Sequence, residues 1–233
     1  MSRRFLFPAL RWPFFLLVAL FFVLVFVLFS GAVMLAFHRL GIPPQVAVTL
    51  FTFALVGSFI NIPIAEEVTY EPVIRVHSAG LFGLLYSVPY FDWEERKTVI
   101  AINVGGALVP VSVVIYEFIR MIEYSQYGLL VNTLLAVAVA SLFSNAVARP
   151  VRGLGIAMPS LFPPLMAVLL GWAFGDGNPT VVAYVSGTLG VLIGADLMNW
   201  GKMKKLGAPM VSIGGAGTFD GIFLAGVIAV LLV

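Results

Sequence analysis

Two aspartates near the end of the chain are the residues best suited to chemistry. Asp196 sits in Leu192-Ile193-Gly194-Ala195-Asp196-Leu197-Met198, and Asp220 in Gly217-Thr218-Phe219-Asp220-Gly221, each within an otherwise apolar run. A carboxylate inside a membrane costs a few kcal/mol even on lenient scales, so it normally faces a partner or water. Asp196 lies near a predicted helix C-terminus, where the macrodipole disfavours negative charge, and it gains nothing as a cap. Asp220 has a plainer alternative, with Thr218 as N-cap and Asp220 in the first helical turn. Two apposed carboxylates share a proton near neutral pH. One then activates water as a base while the other protonates a carbonyl oxygen as an acid, which is the chemistry of aspartyl proteolysis.

The elements that must position these groups are membrane helices. Hydrophobic residues make up 61% of the 233-residue chain and charged residues 10%. A soluble domain usually carries about 25% charged residues, so this surface must meet lipid. Seven apolar segments are predicted to span, at 13–37, 45–64, 98–119, 128–147, 156–174, 179–198 and 210–233. The fold expected is an all-α membrane protein of about seven helices forming one polytopic domain over 1–233. The apolar run after Arg3-Arg4 is too long for a signal peptide. Pro159, Pro163 and Pro164 interrupt the fifth segment, which reads as a kinked span or a re-entrant one.

Charge sets the orientation. With the N-terminus in the cytosol, the inside segments hold Arg3, Arg4, Arg11, Arg75, Arg96, Lys97, Arg149, Arg152, Lys202, Lys204 and Lys205. The outside segments hold only Arg39 and Arg120. This asymmetry predicts a multi-pass plasma-membrane protein with its C-terminus outside. The loop 65–97 is read as a cytosolic hairpin insertion, with Val73, Ile74 and Val76 on one run, Leu84 to Val88 on the other, and Ser78-Ala79-Gly80 between them. It is either a plain connector or an edge that receives an extended peptide.

The predicted depths gather polar residues near the cytosolic face. Asn61, Asn103, Asn145, Asp196, Ser212 and Asp220 all fall in the inner third, while the outer half offers only Asn132 and Glu117. A rise of about 1.5 Å per residue puts both aspartates roughly 20–24 Å below the outer interface, on consecutive antiparallel helices. This is the pattern of a cytosol-facing cavity. Its expected lining is Asn61, Asn103, Asn145, Ser212, Gly214, Gly215, Gly217 and Thr218, around Asp196 and Asp220 as the catalytic pair. The plain alternative is that these residues cap helix ends or reach headgroups. A weak internal echo relates Asn103-Val104-Gly105-Gly106-Ala107 to Ser212-Ile213-Gly214-Gly215-Ala216.

The stretches around Asp196, from Ser212 to Phe223 and from Asn103 to Ala107 resemble an uncharacterised family of archaeal and bacterial membrane proteins, domain of unknown function 1614. The likeness runs from about residue 45 to the end and implies no activity. More loosely, the last two segments are similar to the GxGD intramembrane aspartyl proteases of the presenilin and signal-peptide-peptidase type. That resemblance implies one catalytic aspartate on each of the sixth and seventh helices, at Asp196 and Asp220. Here Gly217-Thr218-Phe219-Asp220 spells G-x-x-D, and Ala195 stands where that family has tyrosine.

Other chemistries find little purchase. There is no cysteine, which removes disulfides, thiolate nucleophiles and cysteine metal sites. The histidines are His38 and His77, H-E-x-x-H is absent, and no P-loop is present. No metal, cofactor or nucleic acid is expected. The partners expected are membrane lipid and a transmembrane or extended peptide substrate. A proton- or ion-coupled small-solute transporter and a non-catalytic membrane scaffold remain open as alternatives.

Overall fold

In the computed structural model the described residues are 11–79, 86–151, 153, 155–203, 206–215 and 221–233. Helix α1 (Arg11–Arg39) and helix α2 (Pro44–Gly57) precede a long antiparallel hairpin, β1 (Asn61–Ala79) and β2 (Tyr86–Asn103). A π-turn, Val104–Leu108, leads into α3 (Val109–Glu123), and α4 (Tyr127–Val147) follows. The short strands β3 (Arg149–Val151) and β4 (Gly155–Ala157) pair before α5 (Phe162–Phe174) and α6 (Pro179–Val191). A second π-turn (Leu192–Asp196), a 3-10 turn (Leu197–Asn199) and the short α7 (Trp200–Met203) continue from α6. Strand β5 (Met210–Ile213) and helix α8 (Gly221–Leu232) end the chain.

This architecture corrects the expectation of an all-α protein with about seven spans. Among the described residues four helical stretches are long and apolar enough to cross a membrane: Trp12–Arg39, Val104–Glu123, Tyr127–Val147 and Pro179–Met203. Three more apolar helices, α2, α5 and α8, are shorter. At about 1.5 Å per residue, the 14, 13 and 12 residues of these helices reach roughly 18–21 Å, against a hydrocarbon core of about 30 Å. The missing length went into strand. Residues 61–64 and 98–103, assigned above to the second and third spans, belong to β1 and β2, and 210–213 form β5. The chain is a membrane protein, but one with a sheet built into its helical bundle.

The helix starts follow local chemistry. Pro44 and Pro179 open α2 and α6, where a missing N–H leaves no intrahelical bond unmade. Pro163 and Pro164 lie in the first turn of α5, so the fifth segment is neither kinked nor interrupted there. It begins late, after β4. In β1, Pro63 adjoins a register shift between Pro63 and Ala65, which fits the confinement of proline to bulges and edges.

The three-stranded sheet has the order β1-β2-β5, with β2 and β5 parallel over Val99–Ile102 and Met210–Ile213. Its root is buried. Thr98, Ile100, Ala101 and Asn103 are each at most 1% exposed, and Val211 and Ile213 pack into the same core as Met203 and Ile222. Buried backbone in apolar surroundings must pair, and β5 supplies that pairing to β2 on the side away from β1.

Helix α6 is the bundle's axis. Every residue from Val181 to Thr188 is buried, packed by α3, α4, α5 and α8. Gly190 lies against Ala140 of α4, and Gly187 against Ala167 of α5 and Ala225 of α8. Such close approaches let membrane helices gain packing where no hydrophobic drive separates helix from lipid. At the opposite end from the hairpin, Arg39 Nη1 donates to the Val230 and Leu231 carbonyls at 3.0 and 3.1 Å. A cation thereby meets the free carbonyls and the negative dipole end of α8.

Candidate functional site

The second π-turn builds the environment of Asp196. A π-turn widens the helix and takes carbonyls off the regular ladder, and such turns recur at functional sites. Here two side-chain amides satisfy them, Asn199 buried and Asn145 half-buried. Asn145 Nδ2 of α4 donates to the Gly194 carbonyl at 3.1 Å. Asn199 Nδ2 donates to Gly194 at 3.2 Å and to Ala195 at 2.9 Å. Lys202 Nζ in turn donates to Asn199 Oδ1 at 2.7 Å. Gly194 has no room for a side chain, since a Cβ there would meet the Ser141 carbonyl of α4. The turn is therefore clamped on two sides, and it ends on Asp196, which is 8% exposed.

A cavity of about 440 Å³ opens beside this carboxylate. Asp196, Ala195 and Val191 form one wall, Met158 to Leu161 and Pro163 a second, and Gly221, Leu224 and Ile228 of α8 a third. The second wall is the connector between β4 and α5, which stays out of helix until Phe162. Its polar groups are the Asp196 carboxylate and Ser160, and the rest of the lining is largely aliphatic. Gly221, one residue after Asp220, is part of that lining. Asp220 itself, with Gly217 and Thr218, lies outside the described residues.

The other residues singled out from the sequence form a different constellation. Asn103, fully buried, donates through Nδ2 to the Ser58 carbonyl at 2.7 Å and to Asn61 Oδ1 at 3.0 Å. Its Oδ1 accepts from the Gly106 N–H at 2.8 Å, capping the first π-turn. Ser212 Oγ donates to the same Asn61 oxygen at 2.6 Å. One knot of side chains thus joins the end of α2, both hairpin strands, β5 and the start of α3. Gly214 and Gly215 follow β5 in left-handed backbone with φ of 86° and 90°, and Gly106 is pressed against the Gly214 carbonyl. The glycine echo between 105–106 and 214–215 therefore marks two neighbouring strand ends that touch. Asn61, Asn103, Ser212, Gly214 and Gly215 meet at this joint, and Asn145 and Asp196 meet at the second π-turn.

Sequence reading passed over Asn199 and Ser160. Asn199 stands three residues after Asp196, a spacing that brings side chains together on a helical turn. Ser160, between two prolines of a connector, carried no such signal. At the far end, Glu117 is 2% exposed and pairs with Arg120 Nη1 at 3.3 Å, while that same nitrogen donates to the Leu40 carbonyl at 2.6 Å. The pair borders a small cavity of about 50 Å³ with Gln126 and Asn178. Among the described residues there is no cluster of three or more His, Cys, Asp or Glu able to hold a metal ion.

Fold and site together define a polytopic helical membrane protein with an embedded sheet and a buried carboxylate in the wall of a partly open cavity. The chain belongs to the family described as "Protein of unknown function (DUF1614)", whose model matches residues 55–232. The match runs from the end of α2 to the last turn of α8 and leaves out α1. No curated protein and no solved structure matches the chain, and the likeness to GxGD proteases gains no support from those comparisons.

Proposed function

We propose that this protein is a membrane-embedded aspartyl protease in which Asp196 and Asp220 form the catalytic pair, reached from the cytosol. The observation that carries the reading is the cavity of about 440 Å³ that has Asp196 in its wall and Gly221, the chain neighbour of Asp220, in its lining. A buried carboxylate at a clamped π-turn, facing a space large enough for a peptide unit and a side chain, suits hydrolysis in an apolar setting. One carboxylate takes a proton from water, whose oxygen bonds to the scissile carbonyl carbon. The other carboxyl gives its proton to the carbonyl oxygen. Collapse of that intermediate breaks the C–N bond, and the leaving nitrogen takes up a proton. The substrate class is a transmembrane or extended peptide. The positive-inside asymmetry supports a plasma-membrane location with the N-terminus in the cytosol.

The test is cleavage of a fluorogenic transmembrane peptide by purified protein in lipid nanodiscs. Cleavage is expected to fall at least a hundredfold in Asp196→Asn and in Asp220→Asn, with both variants keeping the wild-type melting profile. Cleavage retained by either variant overturns the proposal. A coupled carrier is the second reading, favoured by the buried Glu117, paired with the partly exposed Arg120, and its polar cavity at the other end of the bundle. Gradient-driven solute flux in liposomes, with no peptide cleavage, would establish that reading instead.

A further inference from the structure

The β1–β2 hairpin carries an apolar face that no described residue covers. Directly opposed residues of an antiparallel pair share one face. The register opposes Tyr70 to Glu95, Pro72 to Trp93, Ile74 to Phe91 and Val76 to Pro89. Tyr70, Ile74, Val76, Phe91 and Trp93 are 61, 66, 63, 78 and 67% exposed. The opposite face is charged, with Arg75 bridging to Asp92 at 3.2 Å and to Glu94 at 4.0 Å. An amphipathic two-stranded ribbon is marginal by itself, and an exposed apolar patch of this kind marks an interaction site.

Charge decides what covers it. Residues 61–103 hold six acidic groups, Glu66, Glu67, Glu71, Asp92, Glu94 and Glu95, against three basic ones, Arg75, Arg96 and Lys97. An anionic leaflet would be repelled, and a second copy would set like charge against like. A basic partner is attracted to the hairpin's net negative charge; on the apolar face itself Glu66 and Glu95 stand with Lys97, whose Nζ is 3.8 Å from Glu95, so that face keeps one acidic group in excess. The rings of Tyr70, Phe91 and Trp93 also offer their faces to guanidinium or ammonium groups. We propose that this face docks a basic polypeptide segment, one with arginines or lysines set among aliphatic and aromatic residues. This inference is independent of any catalysis at Asp196.

A peptide of that chemistry occurs in the chain's own sequence at 2–12, Ser-Arg-Arg-Phe-Leu-Phe-Pro-Ala-Leu-Arg-Trp, and it serves as the probe. Full-length protein in neutral-lipid nanodiscs is titrated against the dye-labelled peptide and followed by anisotropy. Saturable binding above that of empty nanodiscs is expected. It should weaken at least tenfold in Phe91→Ala/Trp93→Ala, whose changes are on the surface and leave the melting profile intact. It should also weaken several-fold between about 0.1 and about 0.5 M salt. Equal binding by the double variant, or by empty nanodiscs, overturns the proposal. Phe91→Cys, the sole cysteine in its chain, reads the competing occupants. Near-complete disulfide dimers would assign the face to a second copy. Quenching of a bimane label at that position by brominated lipid would assign it to the membrane. Either result overturns the basic-peptide assignment.

Discussion

The side-chain amide of Asn145 on α4 donates to the carbonyl of Gly194 at 3.1 Å, two residues before Asp196. Asn199 reaches the same oxygen at 3.2 Å, so one displaced carbonyl is held from a neighbouring helix and from its own chain. The position of the Asp196 carboxylate is a consequence of this double tether. Replacing Asn145 by leucine leaves Asn199 to hold the turn alone and should cost about 1 kcal/mol. Gly194→Ala places a Cβ against the Ser141 carbonyl and should cost more, about 1–3 kcal/mol. Thermal unfolding in detergent micelles gives the order, and a Gly194→Ala protein as stable as wild type would refute the packing argument.

The Asn103 knot should matter more to folding than to any reaction. Asn103→Leu strands the Gly106 N–H and the Ser58 carbonyl in a buried site, a loss of about 2–4 kcal/mol for two orphaned groups. Asn103→Asp keeps the acceptor for Gly106 but turns a second acceptor toward the Ser58 carbonyl and Asn61 Oδ1 in a fully buried site, so it should melt well below the wild type. A leucine variant that melts with the wild type would show that the knot contributes nothing.

The Glu117–Arg120 pair makes a prediction about sign. Glu117→Leu removes the carboxylate and leaves a partly buried guanidinium with the Leu40 carbonyl and the Tyr116 ring, which should destabilise by about 1–3 kcal/mol. Glu117→Leu/Arg120→Leu removes both charges and should recover part of that loss. A double-mutant cycle on unfolding measures the coupling. Zero coupling would make the pair incidental.

Orientation can be read from the outside, because the chain has no cysteine of its own. Tyr124, 69% exposed, follows α3 at the end away from the hairpin, and Trp93 is on the hairpin. In intact cells, Tyr124→Cys should react with a membrane-impermeant maleimide while Trp93→Cys reacts only after permeabilisation. The reverse pattern would invert the proposed topology.

Much of the architecture was legible because it depends on composition. Sparse charge and long apolar runs required a membrane protein, whereas Pro163 and Pro164, read as breaks in the fifth segment, instead sit in the first turn of α5, where their missing donors cost nothing. The hairpin was legible around Val73–Val76, although Ser78 and Ala79, read as part of its turn, pair with Ser87 and Tyr86 within the strands, and 80–85 lie outside the described residues. Its length was not legible. Asn61–Ile64 and Thr98–Asn103 are as apolar as the helices they adjoin, and a short apolar run is buried equally well as helix or strand.

What chose strand is a partner far along the chain. Ile100, Ala101 and Ile102 are buried as strand because Val211, Ser212 and Ile213 pair with them in parallel, more than 100 residues later. In apolar surroundings an unpaired strand edge is too costly to keep, and no local window contains that pairing. A similar distance separates Asn103 from Ser212, and 49 residues separate Asn145 from Gly194, so depth estimates alone merged into one pocket what the fold keeps as a joint and a clamp. By itself the sequence determined the solvent this chain lives in and where its acidic groups fall along it. The tertiary structure decided which apolar runs stop short, and with that the gap beside Asp196.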